Sequence, residues 1–152
     1  MFAYQHILVP VDFSPVSQRS IHRAKELASQ YQARLSLLHI VEDIPLGVTA
    51  FGDVSAIYIA PDTQEKLIES AHTQLADLAN RMDLDTTVQL EVINGYPNVD
   101  INSFAAENEV DLIIIGHSAK HGLMGLLMGS TAETVTKHAK CDVLVMRVPE
   151  TA

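Results

Sequence analysis

The chain has 152 residues and is acidic, with a formal net charge of −9 from ten Lys and Arg against nineteen Asp and Glu. This length suits one domain with one core, and 47% hydrophobic residues are too many for a disordered chain. The charge argues against a nucleic-acid partner, because the few basic residues are scattered rather than clustered. We also expect no membrane partner and a cytoplasmic location, since no signal peptide and no apolar run of roughly 20 residues is recognisable.

The first half of the chain alternates buried strands with helices. Residues 6–11 and 35–41 are short continuous apolar runs, which are typical of strands buried on both faces. Ser14-Pro15 reads as an N-cap followed by proline at the first helical position. Residues 62–65 have the form of a capping box that opens a second helix. We interpret the stretch between them, residues 42–61, as a loop with a little local structure.

The second half predicts three further strands, at residues 87–93, 110–116 and 141–148. A turn at residues 94–98 follows the first of them. A short helix around Ile101 comes next, and a capping box at residues 130–133 opens a last helix that ends near Lys140. The alternation of strands and helices predicts an α/β fold over a single domain, residues 1–152. We expect a three-layer sandwich with a five-stranded parallel sheet in the order 3-2-1-4-5 and helices on both faces.

Two residues mark the place where we expect a ligand. In open α/β sheets, ligands bind beyond the carboxyl ends of the strands, at the point where the strand order reverses. Asp12 follows strand 1 and Gly116 ends strand 4, so both are expected at the mouth of one crevice. Asp12 can accept hydrogen bonds from ribose hydroxyls or reach a phosphate-bound metal. Gly116 is predicted to leave its strand through dihedral angles that other residues cannot adopt.

The last helix offers an anion site at its start, where Gly129, Ser130 and Thr131 would present free N–H groups at the positive end of the helix dipole. The opposite reading is that Ser130 only caps this helix together with Glu133, and that Gly116 is only a strand exit. Neither a GxxxxGK[ST] loop nor a G-x-G-x-x-G fingerprint is present. The spacing alone therefore leaves a phosphate site open.

Other side chains that could carry chemistry are weaker candidates. His117 and His121 are four residues apart, but the surrounding glycines disfavour a helix, so we expect no zinc site. His39 is interpreted as a hydrogen-bonded core histidine. Cys141, the only cysteine, is not expected to be reactive, and no GxSxG elbow presents a nucleophilic serine.

Nearly the whole chain resembles the universal stress protein family. The resemblance lies in "HILVPVDFSP", in "LSLLHIVE", and in the C-terminal segment from "DLIIIGHSAKHG" to "CDVLVMRV". The nucleotide-binding branch of that family carries G-x2-G-x9-G-[ST]. Gly116, Gly129 and Ser130 match this pattern, and Ala119 stands at its second glycine. Alanine still leaves its backbone N–H available and suits that position if φ is negative.

The resemblance implies a dimeric protein that binds ATP with Mg2+ or Mn2+. It places the adenosine against Pro10, Val11 and Asp12, with Asp12 on the ribose and the Ile40 backbone at the adenine edge. The phosphates would be held by the glycine-rich segment. The implied nucleotide-binding residues are Pro10, Val11, Asp12, Ile40, Ile115, Gly116, Ala119, Gly129, Ser130 and Thr131. No metal is expected to be held by the protein alone, although Asp12 could reach the nucleotide-bound Mg2+.

Three functions follow from these observations. The first is an ATP-binding stress-response sensor or switch, which is a homodimer paired through the strand at residues 143–148. The second is a stress protein that binds no nucleotide and acts through protein contacts, which Ala119 and Glu133 favour. The third is a slow ATPase, which ranks last because nothing in the sequence nominates an activated water or an arginine finger. Accordingly, no catalytic residue is predicted.

Overall fold

The computed structural model describes residues 3–43, 62–117 and 130–147 of the chain. In these residues five strands alternate with four helices. In chain order they are β1 (His6–Pro10), α1 (Pro15–Tyr31), β2 (Arg34–Glu42), α2 (Thr63–Arg81), β3 (Gln89–Gly95), α3 (Pro97–Glu107), β4 (Leu112–His117), α4 (Ser130–His138) and β5 (Asp142–Arg147). No helix among the described residues is both long enough and apolar enough to cross a membrane.

The five strands form one parallel sheet in the order β3-β2-β1-β4-β5. This confirms the predicted α/β fold and its strand order. The order reverses at β1, which has β2 on one side and β4 on the other. The single domain predicted over residues 1–152 extends past the described ranges and stays a prediction.

The strands bury side chains on both faces because helices cover both faces. On one face, Ile7 and Val9 of β1 pack in one cluster with Ile21 of α1 and Leu78 of α2. On the other face, Leu8 of β1 packs in a second cluster that takes in residues of α3 and α4. The continuous apolar runs in β1, β2 and β4 follow from this two-sided burial.

The starts of α1 and α2 differ from the predicted caps. Ser14 precedes α1 with extended backbone angles, and Pro15 occupies the first turn, but the Ser14 side chain makes no capping hydrogen bond. The capping box predicted at residues 62–65 is wrong. Asp62 makes no capping hydrogen bond, because its φ of −91° and ψ of 0° are not the extended angles of an N-cap. Its carboxylate instead lies 2.7 Å from Lys66 Nζ.

The bounds of β3 are shifted relative to the prediction at residues 87–93. The Asp85 carboxylate accepts hydrogen bonds from the Thr87 N–H and hydroxyl, which makes a turn where the strand was predicted to begin. At the other end, Asn94 and Gly95 pair with β2 and so belong to the strand rather than to the predicted turn. Of the loop predicted at residues 42–61, Glu42 ends β2 and residues 44–61 lie outside the described residues.

Candidate functional site

A cavity of about 370 Å3 opens at the carboxyl ends of β1, β2 and β4, where the strand order reverses. This volume falls in the range of small-molecule sites, which is roughly 300–1,000 Å3. Most of the lining is apolar, two lining residues are acidic, and none of the described lining residues is Lys or Arg. The lining consists of Pro10, Val11, Asp12, Val16, Ser17, Leu38, His39, Ile40, Glu42, Pro97, Ile101, Ile115, Gly116 and Thr131.

The carboxylate of Asp12 is fixed by hydrogen bonds from the residues that follow it. Its Oδ1 accepts from the Ser14 N–H at 3.0 Å and from the Ser17 hydroxyl at 2.8 Å. The Asp12 N–H donates in turn to Ser17 Oγ at 3.1 Å. Ser17 is buried in the first turn of α1, so this turn holds the carboxylate in place. Among the described residues, no hydrogen bond engages Oδ2, which leaves that oxygen to accept from a ligand.

These contacts also set the charge of Asp12. Neighbouring protein atoms remove part of the water around the carboxyl and by themselves raise its pKa. The hydrogen bonds from Ser14 and Ser17 favour the charged form and outweigh this effect, so the pKa of Asp12 lies below its usual range. The side chain is therefore a carboxylate at neutral pH and acts only as a hydrogen-bond acceptor.

His39 stands in the wall of the cavity, where the sequence predicts a core histidine. Its Nδ1 lies 2.7 Å from the Val11 carbonyl oxygen, so the ring is hydrogen-bonded as expected. The ring is half-buried rather than buried, and it packs against Phe13 with the two ring centroids 4.4 Å apart. Phe13 has a positive φ of 64°, so the chain bends sharply straight after Asp12.

The end of β2 extends beyond β1 and borders the cavity. The register between the two strands ends at Pro10 and Leu38, and the Val11 N–H donates to the Leu38 carbonyl at 2.8 Å. Main-chain groups of alternate residues point to the same side of a parallel strand, so those of Ile40 face the same way as those of Leu38. No described strand lies beside Ile40 on that side, so its N–H and C=O are directed at the cavity.

Gly116 does not act as the sequence predicts. It lies inside β4, paired with Met146, and its φ is outside the positive region, so the predicted exit through glycine-only dihedral angles is wrong. A Cβ at Gly116 would instead meet the side chain of Val16 in α1. The glycine is required by close packing of a helix on a strand, a reason that only the tertiary structure reveals.

The start of α4 also reaches the cavity. The helix begins at Ser130, and Thr131 in its first turn lines the cavity. Ala119 and Gly129 lie outside the described residues, as does His121, and the side chain of Ser130 is likewise not described. The capping box predicted at residues 130–133 therefore stays a prediction. Within the described ranges, no three His, Cys, Asp or Glu side chains come together in a group that could hold a metal.

The structure thus brings seven of the ten predicted nucleotide-binding residues to one cavity: Pro10, Val11, Asp12, Ile40, Ile115, Gly116 and Thr131. Sequence reasoning missed the other seven lining residues, which are Val16, Ser17, Leu38, His39, Glu42, Pro97 and Ile101. Ser17 left a signal, because a hydroxyl in the first turn of a helix that directly follows Asp12 can reach back to it. The others depend on the strand order and carry no local signal.

Comparison with known proteins identifies the fold and the family. The family model described as "Universal stress protein family" matches residues 3–147. The chain belongs to the universal stress protein family. A curated family member from Coxiella burnetii, universal stress protein A homolog 2, is 34% identical over 146 residues, which cover 95% of this chain and 96% of the relative.

Two solved structures of family members share the fold. The universal stress protein UspA from Lactobacillus plantarum superposes with a TM-score of 0.74 at 26% identity, covering 97% of this chain and all of the other chain. A universal stress protein solved in complex with cAMP superposes with a TM-score of 0.69 at 22% identity, covering 96% of this chain and 98% of the other. At 22% identity the second likeness concerns the fold alone.

Proposed function

We propose that this universal stress protein binds ATP in the cavity between the ends of β1 and β4 and works as a dimeric stress-response sensor that responds to nucleotide occupancy. The observation that carries the proposal is the carboxylate of Asp12, anchored through Oδ1 in a cavity of about 370 Å3 at the point where the strand order reverses. One oxygen of this carboxylate is held by the protein, and the other serves the ligand.

The adenosine half of the ligand lies against β1 and β2 in this proposal. The Ile40 N–H and C=O supply one donor and one acceptor to the edge of the base, with Pro10 and Val11 beside it. Apolar atoms of Ile101 and Ile115 cover the faces of the purine. Oδ2 of Asp12 accepts a hydrogen bond from a ribose hydroxyl.

The phosphates extend toward Gly116 and the start of α4. No Lys or Arg is among the described lining residues, so main-chain N–H groups and the dipole of α4 must hold the negative charge. We assign this part to Gly116, Ala119, Gly129, Ser130 and Thr131. Mg2+ or Mn2+ would accompany the nucleotide, within reach of Asp12, and would offset the charge of the phosphates. The proposal includes no catalytic residue.

A solved family member supports an adenine nucleotide as the ligand class. That protein, described as a universal stress protein in complex with cAMP, shares the fold of this chain over almost its whole length. The base and ribose of cAMP are those of ATP. A pocket that contacts the base and ribose mainly through β1 and β2 would accept both cAMP and ATP. The contacts with the phosphates would determine which of the two binds more tightly.

The dimer in this proposal forms through β5, at residues 143–148. In the described sheet β5 is an edge strand whose outer backbone groups have no strand beside them. Its Leu144 is 36% exposed, and an apolar side chain on an unpaired edge strand favours pairing with another strand. Pairing of β5 with its copy would cover this edge and the exposed leucine.

The test is to purify the protein without added nucleotide, denature it, and identify released ligands by chromatography. Thermal unfolding with Mg-ATP, ADP, AMP and cAMP follows. A ligand at 100 times its Kd stabilises the protein by about 2.7 kcal/mol. We expect stabilisation by ATP in the wild type and in Asp77→Ala, which removes an exposed carboxylate on α2, and none in Asp12→Ala. Failure of every adenine nucleotide to bind or stabilise the wild type would overturn the proposal.

A second candidate is a family member that binds no nucleotide and acts through protein contacts. The two acidic side chains in the lining, Asp12 and Glu42, favour it because they repel phosphate. It predicts that wild type and Asp12→Ala respond identically to every nucleotide.

A further inference from the structure

The ring of His39 contacts both neighbours of Asp12. Its Nδ1 lies 2.7 Å from the carbonyl oxygen of Val11, and its face packs on the ring of Phe13 at a centroid distance of 4.4 Å and an interplanar angle of 37°. The N–H of Val11 is also tied to β2, because it donates to Leu38 at 2.8 Å. The residues before and after Asp12 are therefore both held against β2.

We propose that His39 is a positioning residue of the nucleotide site, whose Nδ1–H fixes the exit of β1 so that the Asp12 carboxylate points at the ligand. The inference rests on the proposed function, because the ligand is the proposed adenine nucleotide. His39 acts through Val11 and Phe13, the two chain neighbours of Asp12. Ser14 and Ser17 then set the rotation of the carboxylate itself.

The bond between His39 and Val11 shows which ring nitrogen of His39 carries a hydrogen. A carbonyl oxygen can only accept a hydrogen bond, so Nδ1 of His39 must carry the hydrogen in the bond to Val11. The neutral Nδ1–H tautomer and the imidazolium both satisfy this condition. The contact with Val11 is therefore retained in either charge state, and Nε2 plays no part in it.

Three substitutions separate the Nδ1 hydrogen bond from the bulk of the ring. In His39→Asn the side-chain amide nitrogen stands close to the place of Nδ1 and can still donate to Val11. In His39→Gln the amide nitrogen stands close to the place of Nε2 and lies past the carbonyl. His39→Leu keeps an apolar side chain against Phe13 and removes the donor.

The first readout needs no nucleotide. The pKa of the Asp12 carboxyl, measured by carbon NMR in the ligand-free protein, should stay low in wild type and His39→Asn. It should rise toward its ordinary value of about 3.9 in His39→Leu and His39→Gln, because the turn that supplies its hydrogen bonds is no longer held. A role in packing alone would leave this pKa unchanged in His39→Leu.

The second readout is the affinity for Mg-ATP by calorimetry. His39→Leu should bind between about tenfold and about 100-fold more weakly, as expected when a hydrogen bond to a charged group is misplaced, whereas His39→Asn should restore most of the affinity. If His39→Leu does not fold, His39→Gln takes its place in both readouts. The proposal is overturned if the variants without a donor keep both the low Asp12 pKa and the wild-type affinity, or if His39→Asn behaves like them. If wild type binds no adenine nucleotide, the proposed function fails and the Asp12 pKa alone decides the role of His39.

Discussion

Gly116 of β4 and Val16 of α1 are in contact so close that no larger residue fits at the glycine. A Cβ at Gly116 would lie 2.7 Å from Val16 Cγ2 and 2.8 Å from Val16 Cγ1. Both residues line the cavity, so this contact sets how closely α1 approaches the end of β4 and fixes one wall of the site.

Gly116→Ala should therefore destabilise the protein by about 1–3 kcal/mol, which is the usual effect of overpacking a core. Urea unfolding of the free protein measures it. Val16→Ala makes room for the new methyl group, so the double variant should lose less stability than the sum of the two single variants. Additive losses would show that the two side chains do not compete for the same space.

Acid should remove a contribution that Asp12 makes to stability. Its pKa in the folded protein lies below the unfolded value of about 3.9, so the ionised carboxylate stabilises the fold above that pH. This stabilisation is lost as the pH falls through the folded pKa. Asp12→Asn keeps the shape of the side chain and removes the charge. The difference in unfolding free energy between wild type and Asp12→Asn should be present at neutral pH and shrink on acidification. A difference that stays constant down to about pH 2 would contradict the linkage.

Ser36→Ala should lower the unfolding free energy of the protein by about 1–3 kcal/mol, because it leaves Nε2 of the buried His6 ring without its partner. This contact lies at the end of the sheet away from the cavity. His6 is 1% exposed, with Nε2 2.8 Å from Ser36 Oγ and Nδ1 2.9 Å from the Asn108 carbonyl. Chemical denaturation gives the value. Ser103→Ala, at an exposed serine of α3, is the matched control and should change the stability by less than about 0.5 kcal/mol. Equal effects of the two substitutions would mean that the contact of Ser36 with His6 contributes nothing.

Leu144→Lys should convert the proposed dimer to a monomer. Leu144 is the exposed apolar residue of the edge strand β5, and a lysine on an edge strand opposes pairing with another strand. Light scattering after size exclusion reports the mass, and circular dichroism confirms that the sheet is intact. Lys137→Ala changes the charge at an exposed residue of α4, outside β5, and serves as the control. A folded Leu144→Lys protein that keeps the wild-type mass would place the contact elsewhere.

The sequence predicts the architecture well because strands that are covered by helices on both faces need apolar side chains at successive positions. β1 and β4 read as unbroken apolar runs, and the structure packs helices against both of their faces. The cap predicted at Asp62 failed because the backbone of Asp62 is helical rather than extended, and its carboxylate lies beside Lys66 instead. No local pattern distinguishes these two outcomes.

The candidate site also contains residues that could be predicted from the sequence and residues that could not. Asp12 could be predicted because its position after a buried strand has a general meaning in parallel sheets. The hydrogen bond from His39 to Val11 could not be predicted, since the two residues are 28 positions apart and meet only once β2 lies beside β1. Gly116 was placed at the correct wall for the wrong reason, because its neighbour Val16 is a hundred residues earlier in the chain.

The partners of the Asp12 carboxylate are two and five residues away along the chain. A turn built from such near neighbours can assemble together with the first turn of α1 and needs no ligand to complete it. This side of the cleft is accordingly formed before a ligand enters it. A molecule that enters the cleft therefore meets a carboxylate whose direction is already set.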